Sequence, residues 1–520
     1  MKYKQTLILI ILLVFIEVFL VAFIYKKLGG FTLLGGDDCS KILCGWGSRN
    51  HLKYAFFNDM WLPLHTLILA LGLKLMPNTL IISPIINTIF SIGILLILFF
   101  LPWELFSISL PVSILTSIFF IFHPFFYYMS LSGLEMPIFH FFILLGVFSW
   151  IKYRNSGGRI WLIFASIAFC LSSAIRYEGW IFILIYAFLN ICALINKNEK
   201  HKKFIVVSLM LACSFIFFWF WWQKVHFGNM LFFVVRQYKQ GINEGNIFNQ
   251  TRMGAFTIFV TALRTIRNFF SIPAILFTVI GVFIAVINRK KVVKDYLIFI
   301  IFSFIILLLL FTFKLGGNWI EKQWSVILLL IFPLCSLGLY QGLFSKFIKL
   351  LLIPYMLLIF FLLKHVYFGS AQMNYANFSI LDNYTKKTAL LLNSLKIDSN
   401  SKVLLEIRTS SENNNIYLWD SWFIIVIRPD FIIQDRELRY ASVGSQDYLV
   451  TENNPSIFEQ PAQNLLSFFE KNNIRIVIAI YEDTKKKLKN FMEEAASIGH
   501  YSIYALPKER YLINSIKSKI

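Results

Sequence analysis

Apolar runs of bilayer-spanning length alternate with short polar segments over the first two-thirds of the chain. A helix needs about 20 apolar residues to cross a hydrocarbon core roughly 30 Å thick. Such runs lie near residues 6–25, 80–101, 108–129, 134–151, 160–175, 177–195, 204–222, 268–287, 296–313, 324–341 and 347–367, which predicts 11 spans. The first follows Met1-Lys2-Tyr3-Lys4. It is long for a signal-peptide core, and no small-residue cleavage site follows it, so it is expected to be retained. The stretch Met60–Met76 is apolar too. If it spanned, every later loop would change sides, so it is expected to lie at the outer surface as an interfacial or re-entrant helix.

From residue 369 the pattern shortens and becomes mixed. It predicts a small α/β domain: strand Lys402–Arg408, an apolar strand Trp422–Arg428, helix Gln463–Asn472, strand Ile474–Ile480, helix Thr484–Ser497 and strand Tyr501–Leu506. The domain reading is therefore a membrane module over 1–368 and an α/β domain over 369–520. Within the module, a first outer loop covers 26–79 and a second large outer loop covers 224–267.

Composition agrees with this class. The 520 residues are 58% hydrophobic and only 15% charged, against about 25% charged in soluble domains. The net charge is +21. Of the 49 Lys+Arg and 28 Asp+Glu, 18 and 17 lie from Gly369 onward, so nearly all the excess belongs to the membrane module. Nucleic acid is a poor partner for charge placed this way. Four basic segments stand between spans: Lys152–Arg159, Lys197–Lys203, Arg289–Lys294 and Lys346–Lys349. With 11 spans and the N-terminus cytoplasmic, all four face the cytoplasm, as the positive-inside rule asks. The same parity places the α/β domain outside a cell (inner) membrane. Six cysteines exclude a disulfide scaffold. In an outer, oxidising compartment Cys39 and Cys44 have a spacing that permits a pair.

Ionisable residues within apolar sequence are costly and mark candidate sites. Five places stand out: Asp37-Asp38, Glu135, Arg176 with Glu178, the loop Lys224–Arg267 with His226, Asn229 and Arg252, and Lys314–Gln323 with Asn318 and Lys322. Each has a plain structural reading. An acidic pair in an exposed loop is ordinarily solvated. Glu135 suits a helix N-cap, and Arg176 and Glu178 suit an ion pair at a helix break. Basic loops meet lipid headgroups, and a lone His226 suits a structural role. On the predicted topology, however, all five places fall at the outer ends of spans. One outward-facing site accounts for that segregation.

Several short motifs add to it in order. Gly36-Asp37-Asp38 is an acidic first-loop motif, and Trp61-Leu62-Pro63-Leu64 starts the interfacial helix. Then come Ser132-Gly133-Leu134-Glu135, Arg176-Tyr177-Glu178-Gly179, Phe227-Gly228-Asn229 and Gly316-Gly317-Asn318-Trp319. Together they resemble the GT-C superfamily of membrane glycosyltransferases, and most of all its cell-wall arabinofuranosyltransferase type. The resemblance covers roughly residues 5–340. Three positions depart from that type: Asn318 stands where Asp is usual, Gln323 where Arg is expected, and Tyr177 where Pro is usual.

The resemblance implies transfer of a sugar, with inversion, from a polyprenyl-phosphate donor to a hydroxyl of an envelope glycan, lipid or protein. Such chemistry needs a base for the acceptor proton, cations for the departing phosphate and alignment of the two substrates. The expected base is Asp37 or Asp38, with Asp37 favoured by analogy. Arg176 is the leading phosphate ligand, because its planar guanidinium matches phosphate oxygens. Lys224, Arg252, Lys314 and Lys322 are secondary phosphate candidates. Glu135, Glu178, His226 and Asn318 are candidates to orient those groups or to bind the sugar. No cofactor is expected; adjacent aspartates do not decide whether a divalent metal takes part, and none is the expectation. Two rivals remain open, a transporter or flippase of a lipid-linked saccharide and an O-antigen-ligase-like transferase.

Overall fold

The computed structural model describes residues 3–27, 36–57, 62–107, 110–195, 201–235, 272–287, 290–312, 320–344, 383–395, 397, 401–406, 424, 432–434 and 462–519. The chain opens with α1 (Tyr3–Lys27). Then come α2 (Gly36–Ser48), a 3-10 turn (Leu52–Phe56) and α3 (Pro63–Leu75). The bundle continues through α4 (Ile82–Phe106), α5 (Leu110–Ile121), α6 (Pro124–Leu131) and α7 (Met136–Ser156). It is completed by α8 (Arg159–Ser173), α9 (Glu178–Ile195), α10 (Lys202–Phe227), α11 (Ile272–Ile287), α12 (Lys291–Thr312) and α13 (Ile320–Phe344).

Six described helices, α1, α4, α7, α9, α10 and α12, are long and apolar enough to cross a bilayer. Each matches one of the expected spans. The expected span 108–129 is instead split into α5 and α6. Pro124 lacks the amide proton that a continuous helix would use, and His123 before it is extended at φ −81°, ψ 118°. The run 347–367 lies outside the described residues. Large apolar side chains stay exposed on α1 (Ile8, Phe15, Phe19) and α10 (Val207, Met210, Phe217). That suits helices facing acyl chains, where no hydrophobic force drives side chains inward. At 13 residues, α3 is about 20 Å long. That is shorter than the roughly 30 Å of a hydrocarbon core.

The tail forms a five-stranded sheet in the order β2-β1-β3-β5-β4. Its strands are β1 (Lys402–Leu405), β2 (Ile432–Gln434), β3 (Ile474–Ala479), β4 (Glu493–Ile498) and β5 (Tyr501–Ala505). β1 runs parallel to β2 and β3, whereas β5 pairs antiparallel with β3 and β4. Both faces are covered, so β1 from Val403 and β3 from Ile476 read as continuous apolar runs. Leu404, Val477 and Tyr504 meet Leu465 and Phe469 of α15 (Ala462–Lys471) on one face. Val403, Ile476 and Ile503 meet α14 (Asn383–Ser394) and α17 (Arg510–Lys517) on the other.

Two expectations fail here. The predicted helix Thr484–Ser497 is a short helix, α16 (Glu482–Leu488), followed by β4. Glu493-Glu494-Ala495-Ala496 has helical composition, but the free edge of β5 captures it; strand preference is set largely by neighbours. The predicted strand Trp422–Arg428 lies outside the described residues except for Ile424, which has helical geometry. Glu406, just past β1, is fully buried, and its carboxylate accepts the Ile480 and Tyr481 amides at 2.8 and 3.1 Å and the Thr484 hydroxyl at 2.5 Å. It thus fills the crevice at the carboxyl ends of β1 and β3, where open sheets of this kind bind anionic ligands.

Cys39, Ile42 and Leu43 of α2 belong to the same apolar core as Ala389, Leu392, Val403 and Ile503 of the tail. The first loop and the C-terminal domain therefore lie on one side of the bundle and share a core.

Candidate active site

The acidic pair sits not in an exposed loop but in the first turn of α2. Residues 38–45 of α2 are all buried. Successive residues turn by 100°, so Cys39 and Leu43 face the tail while Lys41 and Cys44 face the other way. That second face packs on α3. Five apart on one helix, Cys39 and Cys44 point about 140° from each other around its axis, which does not suit a disulfide between them. Asp38 is 1% exposed. The backbone of Asp37 is helical; its side chain lies outside the description.

Against Asp38 lies the loop joining α6 to α7. A Cβ on Gly133 would stand 2.9 Å from the Asp38 carbonyl oxygen and 3.1 Å from its Cα. Only glycine admits that approach. The loop is held from behind by α4: the Asn87 amide donates to the carbonyls of Ser132 and Leu134 at 2.8 and 3.0 Å, and the Ser83 hydroxyl donates to Ser132 at 2.9 Å. We predict that Gly133→Ala displaces α2 from this loop, costing about 1–3 kcal/mol of overpacking and roughly tenfold or more in activity through misalignment. Thermal melts and turnover on the same preparation check both.

Glu135 occupies the N-cap position of α7, yet its carboxylate makes no capping bond. It accepts instead from Lys41 and from Arg176 Nη1. Glu135 and Lys41 side chains are 5% and 7% exposed. Arg176 stands in the break between α8 and α9, and it donates from Nε and Nη2 to the two oxygens of Glu178 at 3.1 and 2.6 Å. A carboxylate fork therefore fixes the plane of the guanidinium. Three of its five N–H groups are engaged among the described residues. Two are left, on a side chain that is 17% exposed.

The structure thus brings Glu135, Arg176 and Glu178 together beside the turn that carries Asp38. It adds Lys41, which the sequence analysis passed over although it lies one helical turn after Asp38. Lys224 and His226 are not part of this cluster. Both are exposed in the last turn of α10. His226 stacks on Trp222 with ring centroids 3.7 Å apart. The Phe227-Gly228-Asn229 motif is a helix stop: Gly228 closes α10 at φ +74°, and Asn229 Oδ1 accepts the Leu231 amide at 2.9 Å. Tyr177 stacks on Phe233 at 4.8 Å and edges Trp180. Arg252, Lys314 and Asn318 lie outside the described residues, as does the side chain of Lys322. Among the described residues no group of three metal-ligating side chains occurs.

Two buried groups escaped the sequence reading because each lies in a run whose average is apolar. Glu17 of α1 is 1% exposed and accepts the Ser91 hydroxyl at 2.7 Å. His65 of α3 is 4% exposed. Burial lowers the His65 pKa well below the usual imidazole value, and the Lys41 and Arg176 charges push the same way.

Among solved structures, the chain is similar to ArnT from Cupriavidus metallidurans in the apo state. The TM-score is 0.58 at 9% identity, over 96% of this chain and 98% of that one. The apo oligosaccharyltransferase of Archaeoglobus fulgidus aligns with a TM-score of 0.48 at 11% identity, over 92% of this chain and 70% of that one. Archaeoglobus fulgidus AglB, an oligosaccharyltransferase in complex with an inhibitory peptide and a dolichol-phosphate, aligns at 0.47 and 11% identity, over 98% and 75%. No protein-family model and no curated protein matches the sequence. The likeness to ArnT is one of fold: a helical membrane bundle carrying a C-terminal sheet.

Proposed function

We propose that the protein is an inverting glycosyltransferase that moves a hexose or pentose from a polyprenyl-phosphate donor to a hydroxyl of an envelope glycan, lipid or protein, on the outer face of a cell (inner) membrane. What carries the reading is the convergence on one spot of three separate outer segments, α2, the α6–α7 loop and the α8–α9 break, within a fold similar to ArnT from end to end. A core shared between α2 and the tail supports a site covered by the C-terminal domain.

The acceptor oxygen attacks the anomeric carbon. Its proton passes to the carboxylate of Asp37 or Asp38, and the electron pair of the carbon–oxygen bond leaves with the phosphate. Adjacent carboxylates in a sequence repel when both are ionised, which favours a proton on one of them. Glu135 and Glu178 hold Arg176 so that its two remaining N–H groups meet phosphate oxygens. Lys41, Glu135, Arg176 and Glu178 together carry no net charge. The rest of the leaving group's charge falls to Lys224, Arg252, Lys314 or Lys322, while Asn318 binds sugar or acceptor.

The test is sugar release from a panel of polyprenyl-phosphate sugars by the reconstituted protein, with Asp37→Asn and Asp38→Asn alongside. One variant should lose about 10²–10⁴-fold while keeping its fold. Release that neither change affects would remove the aspartates from the mechanism. Glu17, a carboxyl buried in a spanning helix, favours the rival reading of a saccharide-lipid transporter or flippase. Movement of the intact donor across a vesicle membrane, without sugar release, would establish that rival.

A further inference from the structure

His65 has no part in the chemistry described so far, yet its place is unusual. It lies in the first turn of α3, with Pro63 at the start. The Leu64 amide beside it donates to Ala174 O at 3.1 Å, which seats that turn against the segment carrying Arg176. The same helix packs on α2, which carries Lys41. The ring is 96% buried by residue, and Nε2 has no hydrogen-bond partner among the described residues. A buried nitrogen left in that state costs about as much as a lost hydrogen bond. Such a group is retained where something else supplies the bond.

The surroundings decide what that is. As a base, His65 would become an imidazolium beside two cations, which is unfavourable. As a metal ligand it stands alone, since no cluster of three ligating groups lies among the described residues. A neutral imidazole that donates from Nε2–H to an anion suits both the ring and the two cations. The α3 N-terminus adds its positive dipole end.

We propose that His65 Nε2–H donates a hydrogen bond to the phosphate of a lipid phosphate bound beside Arg176. This rests on the glycosyltransferase reading above and assigns a neutral phosphate donor to that site. His65 keeps its proton throughout. The acceptor's proton goes to the carboxylate base, and the broken carbon–oxygen bond leaves its electrons on the phosphate. The hydrogen bond strengthens as that charge builds, so its loss falls on kcat more than on KM.

Binding of undecaprenyl phosphate to nanodisc-held protein provides the test, with phosphatidylglycerol and inorganic phosphate as separate arms. His65→Ala and His65→Asn should weaken undecaprenyl phosphate binding about 10–100-fold. His65→Gln, whose amide nitrogen reaches the Nε2 position, should stay within about threefold, because the donor is restored. With a sugar-loaded donor, His65→Ala should lower kcat about 10²-fold with little change in KM. If His65→Ala does not fold, the contrast between folded Gln and Asn variants carries the test. Binding by His65→Ala equal to wild type, while Arg176→Gln abolishes it, overturns the role of His65 alone. Binding of phosphatidylglycerol or inorganic phosphate as strong as that of undecaprenyl phosphate overturns the lipid-phosphate assignment. Absence of undecaprenyl phosphate binding by the wild type overturns both this role and the transferase reading.

Discussion

Glu135→Gln should be the most damaging single change in the bundle, for stability and activity together. The Glu135 carboxylate receives Lys41 on one side and Arg176 on the other, and all three side chains are largely buried. An amide keeps the shape and loses the charge, leaving both cations without the carboxylate they share. Removing one partner from a buried ion pair costs about 3–5 kcal/mol. Arg176 keeps Glu178, which limits its share of that cost. Activity should drop about 10²-fold as well, because Arg176 loses one of its two anchors. A second substitution separates the two effects. Lys41→Met in the Glu135→Gln background removes a buried cation that has lost this carboxylate and should recover part of the stability, while activity stays low. Detergent-denaturation curves and turnover on the same variants read this directly. Equal recovery of both would mean that Lys41 and Glu135 only hold the fold.

The same cluster shows where sequence reading reaches and where it stops. Glu135, Arg176 and Glu178 stand out because charge inside apolar sequence is costly, and their convergence follows once the spans are placed. Lys41 is hidden by its setting: in Asp38-Cys39-Ser40-Lys41-Ile42-Leu43 it reads as an ordinary loop charge. One face of α2 is buried by partners about 350 residues away in sequence, Ala389, Leu392 and Val403 among them, and no local pattern announces them. His65 and Glu17 are lost for the opposite reason, each lying in a run whose average is apolar. In the tail, the periodicity of β1, β3 and β5 is local and legible, whereas β4 exists because β5 offers it an edge. Single elements follow from local chemistry; the site follows from contacts that only the folded chain brings together.

Arg176→Lys should cost about 10²–10³-fold in kcat/KM for the lipid-linked donor, and Arg176→Ala more, with far less loss of stability than Glu135→Gln. The reason lies in geometry rather than in charge, since Lys preserves the charge. Arg176 spends three N–H groups on Glu135 and Glu178 and so presents its last two in a fixed plane. An ammonium has three donors in all. Bound to the two carboxylates, it retains one at most and no fixed fork. Glu135 keeps Lys41 in either variant, and Glu178, 16% exposed, still reaches solvent. The folded state therefore loses one ion-pair partner and gains no buried unpaired cation. The loss should fall mainly on kcat, because the phosphate gains charge as the sugar departs and the fork meets that charge where it develops. Steady-state kinetics with the donor varied would show it. Arg176→Lys within about threefold of wild type would place the guanidinium in the scaffold and not against the phosphate.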